Sequence, residues 1–360
     1  MATFLFFVAI VIFLSASYAD HTYRYNVAYP SSPFFLVRFG DDKREAKVLL
    51  DTNRPYTMVF DKVCGDKGFE CTKNKHDYLY DYKKTNGKLT NKTLMDKYDY
   101  NRNFGGFLFT DVVRVDSIGC HTDVLVVDHG HPSYNFEWDG VLGLGISNGR
   151  TNIIKNIMTD ISTAQIVIQE GKYNIPRKNA KNEMISKGSV VFGKLRGSTK
   201  CGPFTYVNAT ATSWQFRADV HIGNETLTNQ KIGFVPGRPT QVPLSIYNEL
   251  FSDKKATDES NFHEISFSVD GKTCGINKND YLYYVEAGNY YEPIIDIAYP
   301  NYGYDFAFGS DFLQHYCVAL RAHKSVVHYQ IGFAENSARR ICFATTLISS
   351  LVLGILRILV

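Results

Sequence analysis

The chain has 360 residues, with 39 Lys and Arg against 36 Asp and Glu, a formal net charge of +3. That length accommodates one large or two ordinary domains with a real core. Charges of both signs are interspersed, so nothing points to nucleic acid as a partner, and 24 Tyr and 25 Phe alongside short Val, Ile and Thr runs favour strands.

Residues 1–19 read as a signal peptide: an apolar run ends in Ser17-Tyr18-Ala19, whose small residues suit cleavage before Asp20. The first residues carry no Lys or Arg, and a signal anchor is the competing reading. Short alternating runs separated by Gly, Asn, Asp and Pro then predict a β-protein with many turns. FFLVRFGDDKREAKVLLDT reads as strand, polar turn, strand, and GSVVFGKL, FTYVNATA, WQFRADVHIG and HEISFSVDG read as further strands. Helical spacing occurs in Thr151–Ile166 and in Leu244–Phe251 after Pro243, and the polar span Gly171–Lys187 reads as a linker. The expected division is an N-terminal β lobe over 20–185 and a C-terminal β lobe over 186–336.

Residues 337–360 form a hydrophobic tail whose nearly apolar part, after Arg339-Arg340, is broken only by Arg357 and is long enough to span a bilayer. It reads as a membrane span or as a tail exchanged for a lipid anchor near Asn336-Ser337-Ala338, with a soluble tail as the remaining alternative. Three sequons, at Asn91, Asn208 and Asn224, together with the signal peptide indicate the secretory pathway and glycosylation at those asparagines. The seven cysteines are then expected to be oxidised. Cys64 and Cys71 bracket a short polar loop and are expected to pair with each other. Cys120, Cys201, Cys274 and Cys317 can pair in three ways, and Cys342 is a free thiol, a lipidation site or part of a discarded tail.

No paired Cys-x-x-Cys spacing supports zinc, and His129-Gly130-His131 after Asp128 reads as a solvated turn. No Gly-x-Ser-x-Gly occurs, and no phosphate-binding glycine loop follows a strand, so neither metal nor cofactor is expected.

An internal repeat divides the chain. Val48-Leu49-Leu50 runs into Asp51-Thr52, and Ile232-Gly233-Phe234 runs into Val235-Pro236-Gly237. Each is followed by an aromatic-Asp opening an apolar, Gly-containing segment: Trp138-Asp139-Gly140-Val141-Leu142-Gly143-Leu144-Gly145 in the first half, Tyr304-Asp305-Phe306-Ala307-Phe308-Gly309 in the second. Together with Gly188-Ser189-Val190-Val191-Phe192-Gly193, Trp214-Gln215-Phe216, Phe312-Leu313 and Gly332-Phe333-Ala334, this ordered set resembles the pepsin-like aspartic proteases of eukaryotes from about Phe35 to Asn336. The resemblance implies a mainly β, bilobal fold with a central cleft that holds an extended peptide. It also implies one catalytic Asp from each lobe, the two sharing a proton so that one activates water and the other protonates the scissile carbonyl.

Against that pattern the chain departs at four places. Asp51 and Thr52 match the first motif, but Asn53 and Arg54 replace the glycine and serine that follow. In the second motif, alignment on Gly237 puts Val235 at the acid position, alignment on Pro243 puts Phe234 there, and no Asp or Glu occurs between Glu225 and Glu249. Pro236 takes the place of the bracing threonine and has no N–H to give. The flap corresponds to Tyr98–Phe107, with Tyr100 as the flap tyrosine (Tyr98 as alternative) and its adjacent glycines missing, and the stretch after Asp20 is too short for the family's basic prosegment.

Asp51 is thus expected to be the only retained acid, in a cleft that includes Thr52, Asn53, Tyr100, Val235, Gly237 and Arg238, with Arg54 or Arg238 close enough to form an ion pair with it. The expected function is a catalytically inactive homologue in the secretory pathway (extracellular, at the cell surface or in a lysosome-like compartment) that binds a peptide or protein in the cleft or serves as a surface module. One alternative is an active endopeptidase with an unusual second acid, and another a coat or adhesion component with a filled cleft.

Overall fold

The computed structural model describes residues 21–28, 34–65, 78–99, 102–115, 118–130, 138–146, 153–154, 163–171, 185–193, 201–252, 257–285, 288–298, 303–323 and 328–336. The expected signal peptide and tail, Tyr100, Cys71, His131 and Cys342 lie outside these residues, and with Cys71 the expected Cys64–Cys71 bond. No helix among the described residues is long and apolar enough to cross a membrane.

The first half contributes β1 (His21–Ala28), β2 (Phe34–Phe39), β3 (Ala46–Asp51), β4 (Thr57–Phe60), β5 (Lys88–Asp99), β6 (Arg102–Val115), β7 (Ile118–Gly130), β8 (Gly140–Gly143) and β9 (Thr163–Glu170). Then come β10 (Ile185–Phe192), β11 (Thr205–Asn208), β12 (Phe216–Ile222), β13 (Glu225–Phe234), β14 (Gln241–Val242), β15 (Ile265–Val269) and β16 (Lys272–Ile276). The chain continues through β17 (Leu282–Val285), β18 (Tyr290–Pro293), β19 (Asp296–Ile297), β20 (Phe306–Phe308), β21 (Tyr316–His323) and β22 (Tyr329–Glu335). Helices are short, as at Leu244–Ile246 and Ser310–Leu313.

Among the described residues thirteen strands form one sheet in the order β11-β22-β21-β9-β10-β1-β2-β3-β8-β4-β7-β6-β5. Seven more form a second, β16-β15-β12-β13-β20-β14-β19, and β17 with β18 makes a separate ribbon. The expected hairpin is β2 with β3, turning at Gly40, whose φ of 59° suits glycine.

The Thr151–Ile166 helix is corrected. Only Ile153 and Ile154 are helical among its described residues, and Thr163–Ile166 opens β9. β9 lies between β10 and β21 and buries Ile166, Val167 and Ile168 on both faces. A β-branched run buried on both faces suits a central strand, and tertiary pairing overrides the helical spacing.

The repeat is geometric as well as sequential. β3 runs parallel to β8, pairing Val48 with Gly140 through Asp51 with Gly143. β13 runs parallel to β20 in the same way, pairing Ile232 with Phe306 through Phe234 with Phe308. Each ladder is pinned by the aromatic-Asp: Asp139 Oδ2 accepts from Lys47 N at 2.8 Å, and Asp305 Oδ2 accepts from Lys231 N at 2.8 Å. Asp139 is buried and also accepts from Tyr78 N. Asp139→Ala is therefore expected to lower the unfolding free energy by about 2–3 kcal/mol, and Asp305→Ala, which is less buried, by about 1 kcal/mol. Urea midpoints of the two variants measure the difference.

The core of the second half is aromatic: Phe216, Phe234, Phe267, Phe308, Phe312 and Phe333 meet with ring centroids 5.0–6.4 Å apart. Trp214 is fully buried and ties the halves together, its Nε1 donating to Leu144 O at 2.6 Å.

Candidate functional site

Two turns meet where β3 and β13 end. The matching ladders put Lys231 at the place of Lys47, which makes Val235 the counterpart of Asp51, Pro236 of Thr52, Gly237 of Asn53 and Arg238 of Arg54. Beyond the strands, Leu144 N donates to Asp51 O, and Val235 N donates to Phe308 O. Arg54 O accepts from Gly145 N, and Arg238 O from Ser310 N, one residue before the counterpart of Gly145, both at 2.7 Å. Glycine is required at this approach. A Cβ on Gly143 would sit 2.1 Å from Tyr56 O, and one on Gly309 would sit 2.0 Å from Arg238 O.

Asp51 and Thr52 are buried, and the Asp51 side chain turns back on its own loop. Its Oδ1 accepts from Asn53 N at 2.8 Å and from Arg54 N at 3.1 Å. Its Oδ2 lies 3.6 Å from Arg54 Nε, in an ion pair whose side chains are only 7% and 2% exposed. Arg54 is seated further by Met58 Sδ at 3.5 Å and by the Tyr56 ring, 5.8 Å from the guanidinium carbon. Burial pushes the Tyr56 hydroxyl up to about 12, opposed by Arg54. Asp51 is thus placed between two backbone donors and a buried cation.

Across from it the equivalent position is apolar. Val235 is buried in a small cluster with Ala298, Tyr304 and Ala307. Phe234, the other alignment for the acid position, turns its ring into the aromatic core. Its carbonyl accepts from Thr52 Oγ1 at 2.6 Å, bracing the two turns together. The reciprocal brace has no donor, because Pro236 offers neither hydroxyl nor N–H.

The cavity at this junction is only about 10 Å³ and is lined by Leu49, Leu50, Asp51, Thr52, Asn53, Phe234, Val235, Pro236 and Arg238. That is about the space of one water. Asn53 Oδ1 is buried here and accepts no hydrogen bond among the described residues. The left-handed tolerance of Asn is not used, since Asn53 is not among the positive-φ residues while its counterpart Gly237 has φ 72°.

Glu170, which the sequence did not single out, is almost fully buried and reaches this junction from the end of β9. Its Oε1 accepts from Gly237 N at 2.9 Å, the bond that corresponds to Asn53 N on Asp51 in the first turn. Its only sequence signal is an acid closing an otherwise apolar strand.

The described residues of the Tyr98–Phe107 stretch fall on β5 and β6, which pair as far as Asp99 with Arg102. The glycines kept there, Gly105 and Gly106, sit at a register shift against β7, where a Cβ would meet His129 or the Val126 carbonyl. They serve the close approach of β6 to β7.

Cys201 and Cys317 form a disulfide with Cα atoms 5.9 Å apart. The expectation that all four later cysteines are oxidised is corrected: Cys120 and Cys274, on strands of different sheets, are free. Burial pushes their thiols up to about 12 and about 11, so they are inert core residues. Asn91, Asn208 and Asn224 are all exposed.

No curated protein matches the chain. A family model of the eukaryotic aspartyl protease matches residues 34–235, more than half of the sequence, ending at the residue that stands opposite Asp51. With a mainly β fold, two equivalent turns meeting at one junction and this match, the chain belongs to the eukaryotic aspartyl protease family.

Proposed function

We propose that this member of the family does not hydrolyse peptides and acts in the secretory pathway as a peptide- or protein-binding surface module. The observation that carries the reading is Val235 at the register position equivalent to Asp51. Peptide hydrolysis by this chemistry needs two carboxylates that share a proton, one as base and one as acid. Here the equivalent position is apolar and Asp51 faces the Arg54 guanidinium at 3.6 Å. Asn53 Oδ1 supports the binding role, since an extended ligand's N–H would supply the donor it lacks. The Cys201–Cys317 disulfide supports passage through an oxidising compartment.

A second reading keeps the activity, with a substitute acid. The observation in its favour is Glu170 on Gly237 N. Against it, Glu170 is not among the residues that line the cavity with Asp51.

The test is hydrolysis of a mixed quenched-peptide library from pH 3 to 7 by the secreted full chain, beside Asp51→Asn and Glu170→Gln. The expected result is no turnover from any folded protein. Turnover that disappears in both variants would overturn the proposal and make Glu170 the second acid.

A further inference from the structure

We propose that N-linked glycans at Asn91 and Asn208 cap the two open edges of the thirteen-stranded sheet and keep copies of the chain from pairing edge to edge. The inference rests on the secretory reading above, because carbohydrate is added on that route.

A strand at a sheet edge presents a row of unpaired N–H and C=O groups, a template for another chain's strand. Among the described residues β5 and β11 are the two terminal strands of the large sheet. Of these, β5 is the greater liability. It is 12 residues long and exposes Leu89 (54%) and Met95 (57%). Asn91 lies between those two apolar residues, at the register shift separating Leu89 from Thr93, with φ 58°. The bulge turns the chain, and exposed Lys88 and Lys92 add charge, two common devices against strand addition. A branched glycan at the bulge supplies the third and largest, standing over the very stretch that carries exposed Leu89 and Met95.

β11 is short, and its exposed last residue, Asn208, pairs inward with Gln330 of β22. Each edge strand therefore carries its own sequon. The third sequon is different. Asn224 sits in the turn between β12 and β13, strands that are paired on both sides within the seven-stranded sheet. It provides an internal comparison.

At each site the Asn Nδ2 attacks the first sugar of a lipid-linked oligosaccharide diphosphate. The Nδ2–C1 bond forms, the C1–O bond to phosphate breaks, and the amide proton leaves with the lipid diphosphate.

The full chain is secreted from a eukaryotic host as wild type, Asn91→Gln, Asn208→Gln, the double variant and Asn224→Gln. Occupancy is read by mass spectrometry and self-association by light scattering across a concentration series. Folded wild type trimmed with an endoglycosidase removes the same sugars without mutation. Association stronger by about tenfold or more in the double variant and the trimmed protein, but not in Asn224→Gln, is the expected result. Occupied edges with unchanged association, or an equal rise in Asn224→Gln, would overturn the proposal. Carbohydrate at Asn224 alone would also overturn it while leaving the secretory reading standing. No carbohydrate at any of the three sites would take down that reading too.

Discussion

Asp51→Ala is expected to lower the unfolding free energy by about 3–5 kcal/mol, the cost of leaving a buried cation without its counter-charge. The pair has side chains only 7% and 2% exposed, so water cannot replace the lost partner. Truncation also strips the acceptor from Asn53 N and Arg54 N. Asp51→Asn isolates the charge, because the amide oxygen can still accept those two bonds; it should cost less than the alanine. Replacing both members with apolar groups of similar size, Asp51→Leu with Arg54→Met, should recover much of the loss. The coupling energy from that cycle, measured by urea unfolding, separates the ion pair from the loop hydrogen bonds. A change within about 0.5 kcal/mol for Asp51→Ala would mean the carboxylate is not a structural anchor. In that case Arg54 would not be what separates Asp51 from proton-sharing chemistry.

How much of this was legible in the sequence differs from segment to segment, for physical reasons. WDGVLGLG was readable because its glycines answer a steric demand: Gly143 passes so close to the Tyr56 carbonyl that a Cβ cannot be placed there. The closeness of a cation to Asp51 was also foreseeable, since Arg54 lies three residues away in the same turn. Choosing between Phe234 and Val235 was not possible from spacing, because strand residues alternate faces and a one-residue slip exchanges core for cleft. Only the β13–β20 ladder and the Asp305 bond set the frame. Thr151–Ile166 misled because apolar residues at helical spacing overlap the start of a β-branched central strand. Glu170 escaped for a further reason. Its partner is a backbone atom far along the chain, Gly237 N, and no local pattern encodes such a contact.

Acidification is expected to stabilise the fold through Asp311, by up to about 4 kcal/mol between neutral and acid pH. Asp311 is 3% exposed, in the short helix that follows β20. Burial pushes its carboxyl from 3.8 up to about 7, opposed by hydrogen bonds from Thr240 and from Phe312 N and reinforced by the negative charge of Asp280. The fold therefore prefers the protonated acid, whereas the unfolded chain holds it ionised above about 4. Its contribution is complete below about 3.8 and is lost as the pH rises through about 7. Urea midpoints at pH 5 and pH 8 for the wild type and Asp311→Asn measure it. The wild type should lose more stability than the variant between those two pH values, with the loss accumulating up to about pH 7 and levelling off above it. The reverse order would mean that the bonds from Thr240 and Phe312 outweigh desolvation. The location makes the effect bear on the site. Thr240 Oγ1 donates to Asp311 Oδ1 at 2.6 Å while accepting from Gly309 N, so this carboxyl holds the stretch that leads out of the Val235 turn.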